Sequence, residues 1–104
     1  MAWLDELIAG HPATAPALVE PDGLCLTYGA LRAAVAEAAE ALREAGVAPG
    51  DRVMLIAENS AAVAIIALAT SRLRAWFVPV NARLTAAELA GLSAHAEPRL
   101  TLYT

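Results

Sequence analysis

The sequence predicts an α/β fold, in which a small antiparallel ribbon and an amphipathic helix precede a β-α-β-α-β unit with a parallel sheet. In the first half, two short apolar segments flank a proline- and glycine-containing turn, and a helical repeat of apolar residues follows. In the second half, continuous apolar runs alternate with helix-starting residues, which is typical of strands covered on both faces. The 104 residues fit a single domain, with residues 1–46 and 47–104 as its two parts.

The first half begins with a short predicted helix and a hairpin. Residues 3–9 place their apolar side chains on one helical face, and Gly10 ends that segment. Strands are predicted at residues 17–20 and 24–26. The Pro21-Asp22-Gly23 segment between them suits a turn, because proline presets φ and glycine accepts a positive φ.

A long amphipathic helix follows the hairpin. Thr27 is the predicted N-cap, and Gly46 is expected to end the helix. Apolar residues recur at spacings of four and three, at Leu31, Val35, Ala38, Leu42 and Ala45. We therefore expect these five side chains to face the core.

The second half is predicted to contain three parallel strands and two helices. The strands are residues 52–57, 76–80 and 100–103. The helix after the first strand begins at Asn59-Ser60, continues to about Leu73 and is nearly all apolar, so it should be buried on most sides. The next helix runs to about His95, and Thr85 and Glu88 form a capping box at its start.

Composition excludes several kinds of chemistry. Hydrophobic residues make up 59% of the chain and charged residues 17%, which is the composition of a folding chain. All seven basic residues are arginine, so no lysine is available for a Schiff base, a phosphate loop or an adenylation step. The net charge of −4 without a basic cluster predicts no nucleic-acid partner.

The sequence also predicts a cytoplasmic location. Cys25 is a single cysteine, which suits a reducing compartment, and Asp5 and Glu6 stand where a secretory signal needs basic residues. The most apolar stretch, between Glu58 and Arg72, is shorter than the roughly 20 residues that a membrane span needs. We therefore expect no membrane span.

The expected binding site lies in two loops. Open α/β sheets bind ligands beyond the carboxyl ends of their strands, which selects residues 58–60 and 81–85. Within them, Asn81 and Arg83 are the candidate cofactor-binding residues, although an exposed or paired loop arginine is the ordinary structural explanation. Neither G-x-G-x-x-G nor G-x-x-x-x-G-K-[ST] occurs in the sequence, so dinucleotide and phosphate-loop sites are excluded.

Other combinations of reactive residues lack support. His11, His95 and Cys25 are not spaced as metal ligands, so no metal site is predicted. Ser60 lacks the G-x-S-x-G elbow that would make it a nucleophile beside His95 and Asp51, and a helix cap explains it fully. No catalytic residue is predicted in this chain.

Four segments in this order resemble the N-terminal subdomain of the adenylate-forming enzymes, which include acyl-CoA synthetases, peptide-synthetase adenylation domains and luciferases. Residues 26–31 are similar to the motif L-T-Y-x-E-L, and residues 46–53 to G-x-x-x-G-D-x-V. Residues 58–60 come next, and residues 77–85 resemble the V-P-x-N-P-R-L-T segment that ends the L-K-A-G-A motif. The resemblance covers almost the whole chain.

The chain departs from this family at three places. Ala30 replaces a glutamate, which removes one half of a capping box on Thr27 at a cost of about 0.5 kcal/mol. Ala75-Trp76 stands where the family has a small residue, so the indole either crowds the sheet or covers a bare surface. Ala82 replaces a proline and loosens its loop.

The resemblance implies a parent enzyme that converts a carboxylate and ATP to an acyl-adenylate, and then to a CoA thioester, with ATP, Mg²⁺ and CoA as cofactors. The phosphate loop and the catalytic lysine of that family are absent here, so the chain is expected to be an inactive N-terminal fragment of an acyl- or aryl-CoA ligase. Its expected partner is the remainder of the ligase or a second copy of the chain.

Two alternatives stay open. The chain is part of a peptide-synthetase adenylation domain, or it is a non-catalytic α/β interaction module. Asn81 favours the CoA ligase over the first, because adenylation domains usually carry aspartate there.

Overall fold

The structure, a computed structural model, describes residues 6, 8–20, 23, 25–58 and 60–103. Within these residues the predicted α/β architecture is confirmed. In chain order the elements are β1 (Pro16–Val19), β2 (Cys25–Thr27), α1 (Tyr28–Glu44), β3 (Arg52–Ala57), α2 (Ala61–Arg72), β4 (Trp76–Asn81), α3 (Ala86–Ala96) and β5 (Leu100–Tyr103). Strands β1 and β2 form an antiparallel ribbon, while β3, β4 and β5 form a parallel sheet in the order β4-β3-β5.

Strand β3 is the centre of the molecule. It pairs with β4 and β5 in parallel, with Val53 opposite both Phe77 and Leu100. Successive side chains of a strand point to opposite faces of its sheet. Both Val53 and Met54 are completely buried, which shows that helices cover both faces of β3. This is the burial predicted from its continuous apolar sequence.

The two faces of the sheet carry separate cores. On one face, Val53, Leu100 and Leu102 pack against α1 and α2 through residues that include Leu42 and Leu68. On the other face, the buried residues are Met54, Ile56 and Val80, and the partly buried Leu84 and Leu89 cover them. The α3 side is the thinner cover, because no residue of α3 is itself buried.

The predicted N-cap of α1 is confirmed, and two of the five residues predicted to face the core are not buried. The Thr27 hydroxyl accepts a hydrogen bond from the backbone N–H of Ala30 at 3.2 Å. The buried residues are Leu31, Val35, Ala39 and Leu42. Ala38 is only partly buried, and Ala45 is exposed because it is the C-cap, where the chain leaves the helix.

The ends of α1 and α2 share one backbone geometry. In α1, Gly46 (φ 100°) donates to the Arg43 carbonyl at 3.0 Å, and Val47 donates to the Leu42 carbonyl at 3.1 Å. This is a Schellman motif with glycine in the left-handed position. In α2, Arg74 takes that position with φ 60°, and Ala75 donates to Thr70 at 3.1 Å.

An arginine in a left-handed conformation needs compensation, because a side chain there costs roughly 1–2 kcal/mol. The Arg74 guanidinium donates to the Ser71 carbonyl at 2.9 Å and lies 3.6 Å from the Glu6 carboxylate. These contacts hold the turn. The residue with an unusual backbone conformation before β4 is thus Arg74. The Trp76 indole is 65% exposed, so it does not crowd the sheet.

The cap of α2 differs from the prediction. Ser60 is the N-cap residue, but its side chain makes no capping hydrogen bond. The carboxylate of Glu20, which follows β1, accepts the backbone N–H of Ala61 instead. A carboxylate at a helix N-terminus satisfies a free donor and complements the helix dipole. The contact therefore joins the ribbon to α2. The other predicted cap residue, Asn59, lies outside the described residues.

The burial of α2 is also lower than predicted. Its buried residues are Ala61 and the four at its C-terminal end, from Leu68 to Ser71. The positions between them, including Val63 and Ile65, are partly exposed. The cause is that the described residues packed against α2 come mainly from α1 and the sheet, so one side of the helix faces outward.

Helix α3 begins as predicted. The Thr85 hydroxyl accepts from Glu88 N–H at 3.1 Å, and the Glu88 carboxylate accepts from Thr85 N–H at 3.3 Å, which completes the capping box. The helix ends at Ala96, with Glu97 in a left-handed conformation as its C-cap.

The N-terminal predictions fall largely outside the described residues. Of the predicted helix over residues 3–9, the structure describes Glu6, Ile8 and Ala9, and the Ala9 N–H donates to the Glu6 carbonyl at 3.2 Å. In the hairpin turn, Gly23 has the predicted positive φ, at 98°, while Pro21 and Asp22 lie outside the described residues. None of the described helices has the length and apolar character needed to cross a membrane.

Substitutions at two glycines test whether the end of α1 needs glycine at position 46. Gly46→Ala should lower the free energy of unfolding by about 1–2 kcal/mol, because an L-residue is strained at φ 100°. In addition, its Cβ would lie 2.9 Å from Nη2 of Arg99. Gly91→Ala, in the interior of α3 with nothing within 4 Å of the new Cβ, should raise stability by about 0.5–1 kcal/mol. Urea unfolding of both variants checks this, and effects of the same sign would contradict it.

The Glu20 cap predicts a difference between two variants. Glu20→Ala should lower the free energy of unfolding by about 1 kcal/mol, because it leaves the Ala61 N–H without its acceptor. Ser60→Ala should change stability little, since the Ser60 side chain makes no capping bond. Thermal unfolding measures both effects, and a larger loss for Ser60→Ala would show that the cap was wrongly assigned.

Candidate functional site

A cleft of about 480 Å³ lies at the carboxyl ends of β3 and β4. Its apolar lining residues are Leu55, Ala57, Val63, Pro79 and Val80, and its polar ones are Glu58, Asn81 and Arg83. Both loops predicted from the sequence therefore border one cavity. The structure brings the two candidate residues Asn81 and Arg83 together there.

The loop after β4 is a compact turn that Asn81 holds. The Asn81 side-chain oxygen accepts the backbone N–H of Arg83 at 2.9 Å, and its backbone carbonyl accepts the N–H of Leu84 at 3.2 Å. The capping box at Thr85 then starts α3. An asparagine that folds back on its own loop is a common turn former. The Asn81 side chain thus has a local structural role. It fixes the backbone position from which the Arg83 side chain extends.

The side chain of Arg83 is the accessible cation of the cleft. Its Nε lies 3.9 Å from the Glu58 carboxylate, and the two side chains are 83% and 73% exposed. Exposed ion pairs contribute little to stability, and this distance is too long for a hydrogen bond. Arginine presents a planar fork that binds carboxylates and phosphates through two hydrogen bonds. Arg83 is therefore available to exchange Glu58 for an anionic ligand.

The strand order adds a second feature at this edge. The chain leaves β3 for β4 on one side and then crosses back to β5 on the other side of β3. In such sheets the ligand crevice opens where the strand order reverses, which here is between β3 and β5. Glu58 lines the cleft beside β4 and directly follows β3, the strand that lies between β4 and β5.

The other reactive residues do not assemble into a site. Asp51 precedes β3 and accepts the N–H of Ala48 at 2.8 Å, whereas Ser60 follows β3. A strand of six residues separates them by roughly 20 Å, so they cannot share one catalytic centre with His95.

His11 and Cys25 belong to residue types that can ligate a metal ion. The His11 ring stacks on that of Tyr28, with ring centroids 4.3 Å apart. Cys25 is exposed on β2 and is a free thiol. No group of three or more His, Cys, Asp or Glu side chains able to hold a metal ion occurs among the described residues.

A second depression, of about 370 Å³, lies at the amino ends of the strands, and Arg52 and Arg99 line it. Both arginines have structural roles there. Arg52 donates to the Ala96 carbonyl at 2.8 Å, and the Arg99 guanidinium lies against Gly46 at the C-terminal end of α1. Cations at that end of a helix complement its dipole. This depression is therefore a weaker candidate than the cleft.

Sequence reasoning missed Glu20, which caps the helix that borders the cleft. Its contact with Ala61 joins residues 41 positions apart. Local signals such as cap spacing or hydrophobic period carry no information about such a pair.

Comparison with known proteins identifies the family. Residues 4–104 match the model of the family described as AMP-binding enzyme. The chain is 44% identical over 71 residues to a feruloyl-CoA synthase of Amycolatopsis sp, which covers 68% of this chain and 14% of that protein. It is 36% identical over 86 residues to a hybrid PKS-NRPS synthetase of Trichoderma harzianum, which covers 83% of this chain and 2% of that protein.

A solved structure gives the same result for the fold. The N-terminal domain of FACL13 from Mycobacterium tuberculosis superimposes on 99% of this chain with a TM-score of 0.91 and 28% identity. The chain covers 27% of that domain. It thus spans a small part of the proteins that it matches. The chain belongs to the AMP-binding enzyme family.

Proposed function

We propose that this chain is the N-terminal part of an ATP-dependent acyl- or aryl-CoA ligase. In that reaction a carboxylate attacks the α-phosphorus of ATP, pyrophosphate leaves, and an acyl-adenylate forms. The thiolate of CoA then attacks the acyl carbon and AMP leaves. The observation that carries the proposal is the family match over residues 4–104, together with 44% identity to a feruloyl-CoA synthase of which the chain covers 14%.

The chemistry would be supplied by residues outside this chain. The sequence has no lysine and no phosphate-binding loop, and the described residues hold no cluster of metal-binding side chains. ATP, CoA and the Mg²⁺ that neutralises phosphate charge would therefore be held largely by the remainder of the ligase, which is the proposed partner. The exposed thiol of Cys25 is compatible with a cytoplasmic enzyme.

Within the complete ligase, we propose that Arg83 contacts an anionic group of the bound cofactor. It stands at the carboxyl end of β4, beside a cleft, and its ion pair with Glu58 is long and exposed. A phosphate or carboxylate can replace Glu58 at the cost of one weak contact. Asn81 has a positioning role in this proposal, because its side chain fixes the backbone N–H of Arg83.

A peptide-synthetase adenylation domain is the second candidate function. The 36% identity to a hybrid PKS-NRPS synthetase supports it. Both candidates form an acyl-adenylate, and they differ in the thiol that receives the acyl group. The asparagine at position 81 favours CoA, as the resemblance to the CoA ligases implies.

The isolated chain should not catalyse adenylation. Purified protein incubated with ATP, Mg²⁺ and a series of carboxylic acids, ferulic acid and fatty acids included, should release no pyrophosphate above a protein-free blank. The physical reason is the absence of lysine and of a phosphate loop. A coupled pyrophosphate assay measures this. Acid-dependent release of pyrophosphate that rises with protein concentration would contradict the proposal that the catalytic groups lie outside this chain.

The role of Arg83 can be tested in the complete product of the reading frame that contains this chain. Arg83→Gln should raise KM for ATP or for CoA about tenfold with little change in kcat, since a charge-assisted bond worth about 1.5 kcal/mol is lost. Ala82→Pro, next to Arg83, is the matched control and should leave both constants unchanged. Equal kinetics for Arg83→Gln and the wild type would exclude the contact.

A further inference from the structure

The segment that precedes β1 is joined to the start of α1 by backbone hydrogen bonds. The N–H of Tyr28 donates to the Ala15 carbonyl at 2.9 Å, and the N–H of Gly29 donates to the Ala13 carbonyl at 2.9 Å. The first N–H groups of a helix have no acceptor within the helix itself. The Thr27 hydroxyl satisfies the next donor along the chain. The segment before β1 therefore supplies the acceptors for the two N–H groups that precede it.

A side chain of α1 reaches back to the same segment. Nη1 of Arg32 donates to the carbonyls of Ile8 at 2.9 Å and His11 at 3.0 Å. The His11 ring stacks on the ring of Tyr28, which lies one turn before Arg32 on the same face of the helix. Hydrogen bonds from a charged donor are stronger than those between neutral groups. Residues 8–15, which we call the strap, thus contact a single face of α1.

The close approach of the strap to α1 depends on a glycine. A Cβ at Gly29 would lie 3.1 Å from the carbonyl oxygen of Ala13 and 3.2 Å from its Cβ. Both distances are shorter than an ordinary van der Waals contact between such atoms. The absence of a side chain at position 29 therefore lets the strap lie directly on the helix.

The strap is held by polar contacts and buries little apolar surface. Ile8 is partly buried against the core, whereas residues 9–14 are exposed. The next segment, β1, is supported differently, because it pairs with β2 and places Leu18 against the core. Segments with few buried apolar contacts and exposed hydrogen bonds open locally at a lower free energy than the core. The support of the chain therefore changes in kind at residue 16.

We propose that the strap opens from α1 as one cooperative unit while β1, β2 and α1 keep their structure, and that Arg32 is the clasp that holds it closed. A cavity of about 220 Å³ lies between the strap and the two helices, with Val35 of α1 and Arg72 of α2 in its lining. In the closed state Val35 is 2% exposed and the Arg32 guanidinium is bound to strap carbonyls. Opening uncovers this cavity and releases the guanidinium.

Amide hydrogen exchange at single residues tests the clasp, in the complete product of the reading frame that contains this chain. Arg32→Gln should accelerate exchange of the Tyr28 and Gly29 amides about tenfold, because their acceptors belong to the strap. The amides of Ala30 and Ala61 are internal references, since their acceptors lie outside the strap. Their exchange rates should change by less than about twofold.

Two further comparisons separate the clasp from general effects of substitution. Arg43→Gln removes the same charge from the same helix, but Arg43 pairs with Glu40 on the helix surface, so the Tyr28 rate should not change. Gly29→Ala places a Cβ against the strap and should accelerate exchange at Tyr28. Gly91→Ala is its matched control, because the new Cβ has nothing within 4 Å, and it should leave Tyr28 unchanged.

Three results would overturn the proposal. The first is unchanged exchange at Tyr28 and Gly29 in Arg32→Gln. The second is equal acceleration of these amides and those of β3, which would mean that the strap does not open separately from the core. The third is equal acceleration at Ala61, which would mean that the ribbon opens with the strap. If Arg32→Gln fails to fold, the comparison of Gly29→Ala with Gly91→Ala decides, and equal Tyr28 rates in these two variants would overturn the proposal.

Discussion

The burial of one strand, β3, is the constraint on which the rest of the structure depends. Its residues Val53, Met54 and Leu55 are 0–2% exposed, so the strand needs neighbours on both sides and helices on both faces. The helices α1 and α2 provide one cover and α3 the other. The parallel arrangement then puts the carboxyl ends of β3 and β4 at one edge, and the cleft beside Arg83 is a consequence of that placement.

The elements of this fold could be predicted because their signals are local. Thr27 and the Thr85 and Glu88 pair cap helices through residues three positions away, and the run in β3 is buried as a continuous apolar strand predicts. The rest depends on contacts between distant residues. The Glu20 carboxylate reaches α2 across the fold, and Arg74 keeps a left-handed backbone with the help of Ser71 and Glu6.

In the candidate site, too, local features could be predicted from the sequence and contacts between distant residues could not. Its position followed from the rule that parallel sheets bind ligands at their carboxyl edge, and the structure does place Asn81 and Arg83 on one cleft. The loose ion pair with Glu58 could not be predicted, since it joins loops after two different strands. The proposed function also depends on chemical groups that the cleft does not provide. One exposed guanidinium can orient an anion, but adenylation also requires groups that this lysine-free chain does not contain.

The most direct test of the proposed ligase is to sequence the genomic DNA downstream of codon 104. If the chain is the N-terminal part of an acyl-CoA ligase, the reading frame continues for several hundred codons. It encodes a phosphate loop rich in glycine, serine and threonine, and a catalytic lysine. A stop codon directly after codon 104, with no such sequence in frame beyond it, would contradict the proposal and favour a free-standing α/β module.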